Sequence, residues 1–341
     1  MLNTVKELCT LSGVASWEDD VRFWLMERVR PYATKMHVDA MGNLIVFKRG
    51  KKETGNKLML CAHMDEVGII VRCITEEGYL KFSCIGSIDR RVLLGKKLLV
   101  GPNKVRGIIG LKAYHLVSAD EEKQVPKLKE FYIDIGAKDR ETAEKLVELG
   151  DVGVFDSDCI EFGDGMLKAK AIDDRVGCAV MLKLLERELP MDCTFVFTVQ
   201  EEVGTRGAFG AAFAVIPEIA LVLEGTTAAD SPSMQPRRQV CALGNGVVLP
   251  FMDGGTIYDR GLFECLRGLA EEHQIPWQMK HSVSGGTDAS AIQRSKSGVR
   301  VCAIAAPVRY LHAPASVGCI KDFDAMLRLT AAFMDELASR C

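Results

Sequence analysis

Apolar residues change their spacing several times along this chain, and each spacing predicts a different element. Over residues 5–12 and 18–29 they return every third or fourth position, which lines one side of a helix. Residues 42–48 and 57–63 are instead compact apolar runs of strand character. From about 67 to 162 the texture becomes a series of short β-type runs, at 68–73, 79–84, 97–100, 105–111 and 131–135, separated by Gly, Pro and charged turns. A helix-like stretch at 139–149 interrupts them, and 153–156 returns to strand. Beyond it, helical spacing at 173–188 and 261–273 alternates with apolar strands at 193–199 and 220–223, and 321–340 closes the sequence as an amphipathic helix.

Strands that alternate with helices predict an α/β fold, with a mixed, largely parallel sheet flanked by helices. The middle of the chain predicts a small β-rich insert. A length of 341 residues accommodates one large domain with an insertion, or two domains. Hydrophobic residues at 48% and charged residues at 26% predict a chain that folds by itself. A net charge of −3 without a run of Lys or Arg argues against nucleic acid as a partner. No apolar stretch is long enough to span a bilayer, and the first residues lack the basic flank and apolar core of a signal peptide. These features predict a cytoplasmic protein without a membrane partner. The twelve cysteines stand singly, with no Cys-x-x-Cys spacing, and several lie inside apolar runs, so they read mostly as reduced, buried thiols.

Open α/β sheets bind ligands beyond the carboxyl ends of their strands, which directs attention to the polar residues that follow the apolar runs. His63 and Asp65 end one such run; a neutral imidazole binds a metal while a nearby carboxylate fixes its tautomer. Asp173 and Asp174 open a helix, where an Asp serves as an N-cap or presents both carboxylate oxygens to cations. Glu201 and Glu202 follow the buried strand at 193–199 and are placed to divide the work of base and metal ligand. Glu224 ends a third run, and His312 follows the apolar residues 301–307. Each has an ordinary structural explanation alone. Together His63, Asp173, Glu202, Glu224 and His312 make the oxygen and nitrogen donor set used by zinc, cobalt or manganese. Ser284-Gly-Gly-Thr-Asp288 reads as a supporting loop, and P-loop, dinucleotide, serine-hydrolase and His-Glu-x-x-His patterns are absent.

The ordered segments Ala62-His-Met-Asp-Glu-Val-Gly68, Ala171-Ile-Asp-Asp-Arg-Val-Gly177, Gln200-Glu-Glu-Val-Gly204, Gly285-Gly-Thr-Asp288 and Arg309-Tyr-Leu-His312 resemble the M42 family of metallo-aminopeptidases, some of whose members are labelled endoglucanases. The resemblance covers nearly the whole chain. It implies a catalytic domain formed by 1–66 and 165–341, and a β-barrel-like insert at 67–164 that covers the site and assembles subunits. It also implies two divalent ions per chain, zinc or cobalt first and manganese after them. His63 and Glu224 would bind one ion, Glu202 and His312 the other, and Asp173 would bridge them. Glu201 is then the general base, Asp65 holds the tautomer of His63, and the Asp173–Asp174 peptide is a candidate for the cis form. The expected partners are short peptides and further copies of the chain, in a dimer-based homo-oligomer up to a dodecamer.

The chain departs from the family pattern in three places. Glu224 stands where many members have Asp, Ala313 where Ser is common, and Ala315-Ser316 where Val-Glu is expected. Metal preference and the preferred N-terminal residue are therefore open. A glycoside hydrolase is a rival reading, but it leaves the two histidines without a role. A non-catalytic peptide-binding or assembly protein of the same fold is another, and a carboxypeptidase or dipeptidase a third.

Overall fold

A computed structural model describes the chain except residues 233, 236–238, 284 and 341. The apolar runs form the middle of one large mixed sheet. Leu58–His63 lies parallel to Cys193–Thr198 on one side and to Ile219–Thr227 on the other, and Ile219–Thr227 is parallel in turn to Arg300–Arg309. Antiparallel strands extend both flanks: Leu44–Lys48 and Lys35–Val38 beyond Cys193–Thr198, and Ser316–Cys319, Met166–Ala169 and Ile160–Phe162 beyond Arg300–Arg309. Val247–Leu249 joins Arg300–Arg309 from a side branch and pairs with Trp277–Met279.

Alternation explains why the central strands read as unbroken apolar runs. Leu58, Leu60 and Ala62 pack into a core shared with the helices Leu2–Thr10, Asp19–Val29, Ile172–Leu185, Arg260–Glu272 and Ile320–Ser339. Met59 and Cys61 face the opposite core, built with Arg206–Val215 and Ala289–Gln293. A strand covered on both faces needs an apolar residue at every position. The mixed α/β class expected from the sequence is the fold observed.

Six antiparallel strands close a separate barrel in the order Gly68–Ile74, Leu80–Ile85, Tyr132–Asp134, Val105–Gly110, Lys97–Val100 and Val152–Phe155. Its own core includes Ile69, Val71, Phe82, Leu98, Ile109 and Ile133. The helix inside this region, Arg140–Glu144, is shorter than the stretch 139–149 suggested, and Asp139 caps it by accepting from the Thr142 N–H. Ile160–Phe162 leaves the barrel and pairs with Met166–Ala169 in the large sheet.

The two units meet where the chain leaves and re-enters the large sheet. Residue 66 forms a parallel bridge with Val14, and the Glu66 carboxylate accepts from the Gly13 N–H. Buried Lys170 donates to both Glu66 oxygens at 2.6 and 2.8 Å, and buried Arg175 reaches the same carboxylate at 3.3 Å. Removing one member of such a buried network leaves a charge without its partner, which is far costlier than losing a surface ion pair. Cys9, Cys61, Cys178, Cys193, Cys241, Cys302 and Cys319 are buried free thiols and Cys73 is exposed, while Cys341 lies outside the described residues. No described helix is long and apolar enough to cross a membrane.

Candidate metal centre

The functional side chains gather where the parallel strands stop. His63 is the last residue of Leu58–His63, whose pairing with the neighbouring Ile219–Thr227 ends at Val222 opposite Cys61. Ile219–Thr227 itself continues along Arg300–Arg309 as far as Thr227. Glu224 is thus inside a strand rather than at its end, yet it projects where one neighbour has already finished. His312 follows Arg300–Arg309 in a left-handed backbone conformation, φ +57°.

Asp173 and Asp174 separate the two readings open to an Asp pair at a helix start. The peptide between them is cis, and both residues depart from helical geometry within Ile172–Leu185. Asp174 behaves as a cap: its carboxylate accepts from Gly177 N–H at 3.0 Å and from His63 N–H at 3.2 Å. Asp173 is left to face the strand ends, where Gly225 N–H donates to its Oδ1 at 2.9 Å.

Two groups of donors converge on Asp173. His63 Nε2 lies 3.2 Å from Glu224 Oε1 and 3.4 Å from Asp173 Oδ1. His312 Nε2 lies 3.2 Å from Glu202 Oε2 and 3.9 Å from Asp173 Oδ2. Within each triad the donor atoms fall within 4.8 Å of one another, and the opposite oxygens of Asp173 serve the two triads. Among the described residues, Glu224 Oε2 is buried with no hydrogen-bond partner. Burial, and then the charge of Asp173, push the carboxyls of Glu224 and Glu202 well above the usual range. Three carboxylates, two imidazoles and an orphaned buried oxygen fit a pair of divalent cations.

Both imidazoles are oriented from behind. His63 Nδ1 lies 3.1 Å from the backbone carbonyl of Asp65 and 3.5 Å from its carboxylate, so the nearer acceptor for an Nδ1–H is main chain. The Asp65 carboxylate accepts instead from Glu201 and Glu202 N–H, at 3.0 Å each. His312 Nδ1 is 3.1 Å from the Ser87 carbonyl, which belongs to the segment after the barrel strand Leu80–Ile85. In each ring a proton on Nδ1 leaves the Nε2 lone pair turned toward the carboxylates.

Glu201 lines a cavity of about 380 Å³ together with Asp173, Glu202, Glu224, Thr287 and His312. Burial raises its carboxyl, His63 opposes that shift, and Asp288 and Glu202 reinforce it. Asp288 is buried below, with Thr198 Oγ1 at 2.5 Å and Cys61 Sγ at 3.6 Å, so Cys61 packs against this acid beneath the loop. Ser284 of the same loop lies outside the described residues. Tyr258, Lys280 and Ser87 also line the cavity and were not singled out in the sequence. Ser87 acts through its backbone, which leaves no residue-type signal, and Tyr258 and Lys280 belong to no motif. Tyr258 O–H donates to Asp253 at 2.6 Å and lies 3.3 Å from Thr287 Oγ1.

Gly225 provides a test of the Asp173 position. A Cβ there would fall 2.7 Å from both Cβ and Oδ1 of Asp173. Gly225→Ala is expected to retain the fold by circular dichroism while weakening zinc or cobalt binding by at least about tenfold in calorimetric titration, the scale of an outer-shell defect. Parental affinity for both ions would contradict that role for Asp173.

The model of the M42 glutamyl aminopeptidase family matches residues 42–329. A protein of Acetivibrio thermocellus named as an aminopeptidase is 34% identical over 331 residues, covering 96% of this chain and 97% of its own. The structure of aminopeptidase APDkam598 from Desulfurococcus kamchatkensis superposes with a TM-score of 0.93 at 35% identity, covering 98% of this chain and 94% of that one. The TET1 peptidase of Pyrococcus horikoshii, described as assembling into a tetrahedron or a large octahedral shell, gives a TM-score of 0.86 at 31% identity, with 97% and 98% covered. With the family model spanning most of its length and these relatives aligned almost end to end, the chain belongs to the M42 family of aminopeptidases, peptide hydrolases of the exopeptidase kind.

Proposed function

We propose that this chain is a two-metal aminopeptidase that hydrolyses the N-terminal peptide bond of short peptides. The observation that supports it best is the place of Asp173 in both donor groups, with Oδ1 toward His63 and Oδ2 toward His312. His63, Glu224 and Asp173 would hold one divalent ion, and Glu202, His312 and Asp173 the other. Glu224, longer by a methylene than the Asp common in the family, still brings Oε1 to 3.2 Å from His63 Nε2.

Paired divalent ions supply Lewis acidity, polarising a carbonyl oxygen and acidifying water. Glu201 accepts a proton from the attacking water as its oxygen bonds to the scissile carbonyl carbon. When the C–N bond breaks, Glu201 returns that proton to the leaving amine. Asp65 fixes the Glu201 and Glu202 backbone, so base and ligand keep their spacing through the reaction. A sugar-cleaving mechanism would leave both imidazoles idle and place its two carboxylates on opposite sides of a glycosidic bond.

Chelation is expected to abolish release of single N-terminal residues, and zinc, cobalt or manganese to restore it. Glu201→Gln should keep its metal and lose about 10²- to 10⁴-fold in kcat, the usual worth of a positioned base. Silence of the parent protein on every aminoacyl amide and peptide, with each metal supplied, would favour the non-catalytic binding protein instead.

The cavity also suggests which first residue it accepts. Ala303, Ala305 and Pro250 give it small, apolar walls, and Lys280, buried at 7% exposure, is the one Lys or Arg lining it among the described residues. A lysine in the cavity wall favours an acidic side chain. Lys280→Ala is expected to lower kcat/KM for glutamyl substrates at least about tenfold relative to leucyl ones; an unchanged ratio would exclude the residue from selection.

The chain works as a homo-oligomer in this reading, supported by the shells formed by the Pyrococcus horikoshii peptidase. Sedimentation velocity should show a species of several chains, and a strictly monomeric profile would rule the assembly out.

A further inference from the structure

The loop that presents Glu201 and Glu202 begins where the strand Cys193–Thr198 stops, and its first amides bond to side chains. Buried N–H groups need acceptors, and here side chains supply them. Asn43 Oδ1 accepts from Val199 N–H at 3.1 Å, and Glu18 Oε1 from Gln200 N–H at 3.2 Å. The two oxygens of Asp65 then accept from Glu201 and Glu202 N–H. Four consecutive amides are thereby tied to three buried side chains from three distant segments. Gln200 sits in a left-handed conformation, φ +58°, a backbone that a non-glycine residue keeps only when its surroundings hold it.

Glu18 is the outermost of these ties. It precedes the helix Asp19–Val29 and is 3% exposed. The same Oε1 accepts from Ser16 N–H at 2.8 Å, and Ser16 has φ +76°. The N-terminal segment that contains it is anchored by the bridge between Val14 and Glu66, at the root of the barrel. One carboxyl therefore joins the N-terminal segment to the residue that immediately precedes the base.

We infer that Glu18 is a positioning residue for Glu201 and Glu202, acting through the Gln200 amide and touching neither substrate nor metal. The inference rests on the roles proposed for those two glutamates. Acceptance needs an oxygen lone pair rather than a charge, which both protonation states of the carboxyl possess. Glutamine therefore mimics the tie and alanine removes it.

The test compares E18A and E18Q with the parent in three measurements: amide hydrogen exchange of 199–203 in metal-free protein, zinc stoichiometry and affinity, and kcat with KM on an aminoacyl amide. E18A is expected to speed exchange at 200–202 by at least about tenfold, a lost hydrogen bond of ordinary strength. It should weaken binding of one of two zinc equivalents and lower kcat by about 10²-fold with KM within about threefold, as misplacement of a catalytic group by about an ångström would. E18Q should keep exchange protection and stay within about fivefold of the parent in kcat. If E18A does not fold, E18Q decides: fast exchange at 200–202 in a folded E18Q overturns the inference. Parental exchange and kcat in E18A overturn it equally. The exchange readout needs no turnover, so protection lost in E18A while the parent cleaves nothing would refute the aminopeptidase reading and leave the tie in place.

Discussion

The organising constraint of this molecule is the number of carboxylates it buries in one place. Buried Asp65, Asp174, Glu224 and Asp288 and the partly buried Asp173, Glu201 and Glu202 crowd around two imidazoles, in surroundings where an unpaired charge is costly. The fold sorts them by what each is given. Asp65 and Asp174 each receive two backbone N–H groups and become structural anchors. Asp173 receives one, and Glu202 and Glu224 face imidazole nitrogens. Asp173, Glu202 and Glu224, with fewer backbone donors, are the groups proposed to bind cations, which would compensate their charge. Parallel strands ending together make the crowding feasible, since they deliver side chains from separate segments to one edge.

The sheet was legible because burial on both faces writes itself as unbroken apolar runs, as in Leu58–His63 and Cys193–Thr198. The helix Arg206–Val215 was not, since its composition of Ala, Gly and Phe lacks a polar stripe to set a period. Ile160–Phe162 reads like one more strand of the β-rich middle, but pairing with Met166–Ala169 takes it into the other sheet, and pairing partners are not encoded in local pattern. At the site, the side chains picked out in recognisable segments converge: the structure brings His63, Asp173, Glu202, Glu224 and His312 together around Glu201. Two kinds of contributor escaped. Main-chain acceptors such as the Asp65 and Ser87 carbonyls have no residue signature. Glu18 looks like any acid at a helix start, because the amide it holds is 182 residues away.

These ties reach the site from both ends of the structure. From the N-terminal side, Glu18 and the Gly13–Glu66 contact meet the loop at 200 and the root of the barrel. At the barrel root, Lys170 and Arg175 close the Glu66 charge with buried cations, so the point where the chain changes units is also one of the most firmly paired places in it. The proposed centre is held by buried side chains that bond the four consecutive amides from Val199 to Glu202.

The contact between His312 and the barrel has a different kind of consequence. The ring is turned by the carbonyl of Ser87, an atom every amino acid possesses. The side chain at position 87 is thus free to change with the needs of its surroundings without altering the acceptor the imidazole sees. What has to be inherited is the path of the main chain. A barrel placed over such a site can drift widely in sequence and still keep its hold on the histidine, provided that insertions and deletions do not shift the register of the segment after Leu80–Ile85.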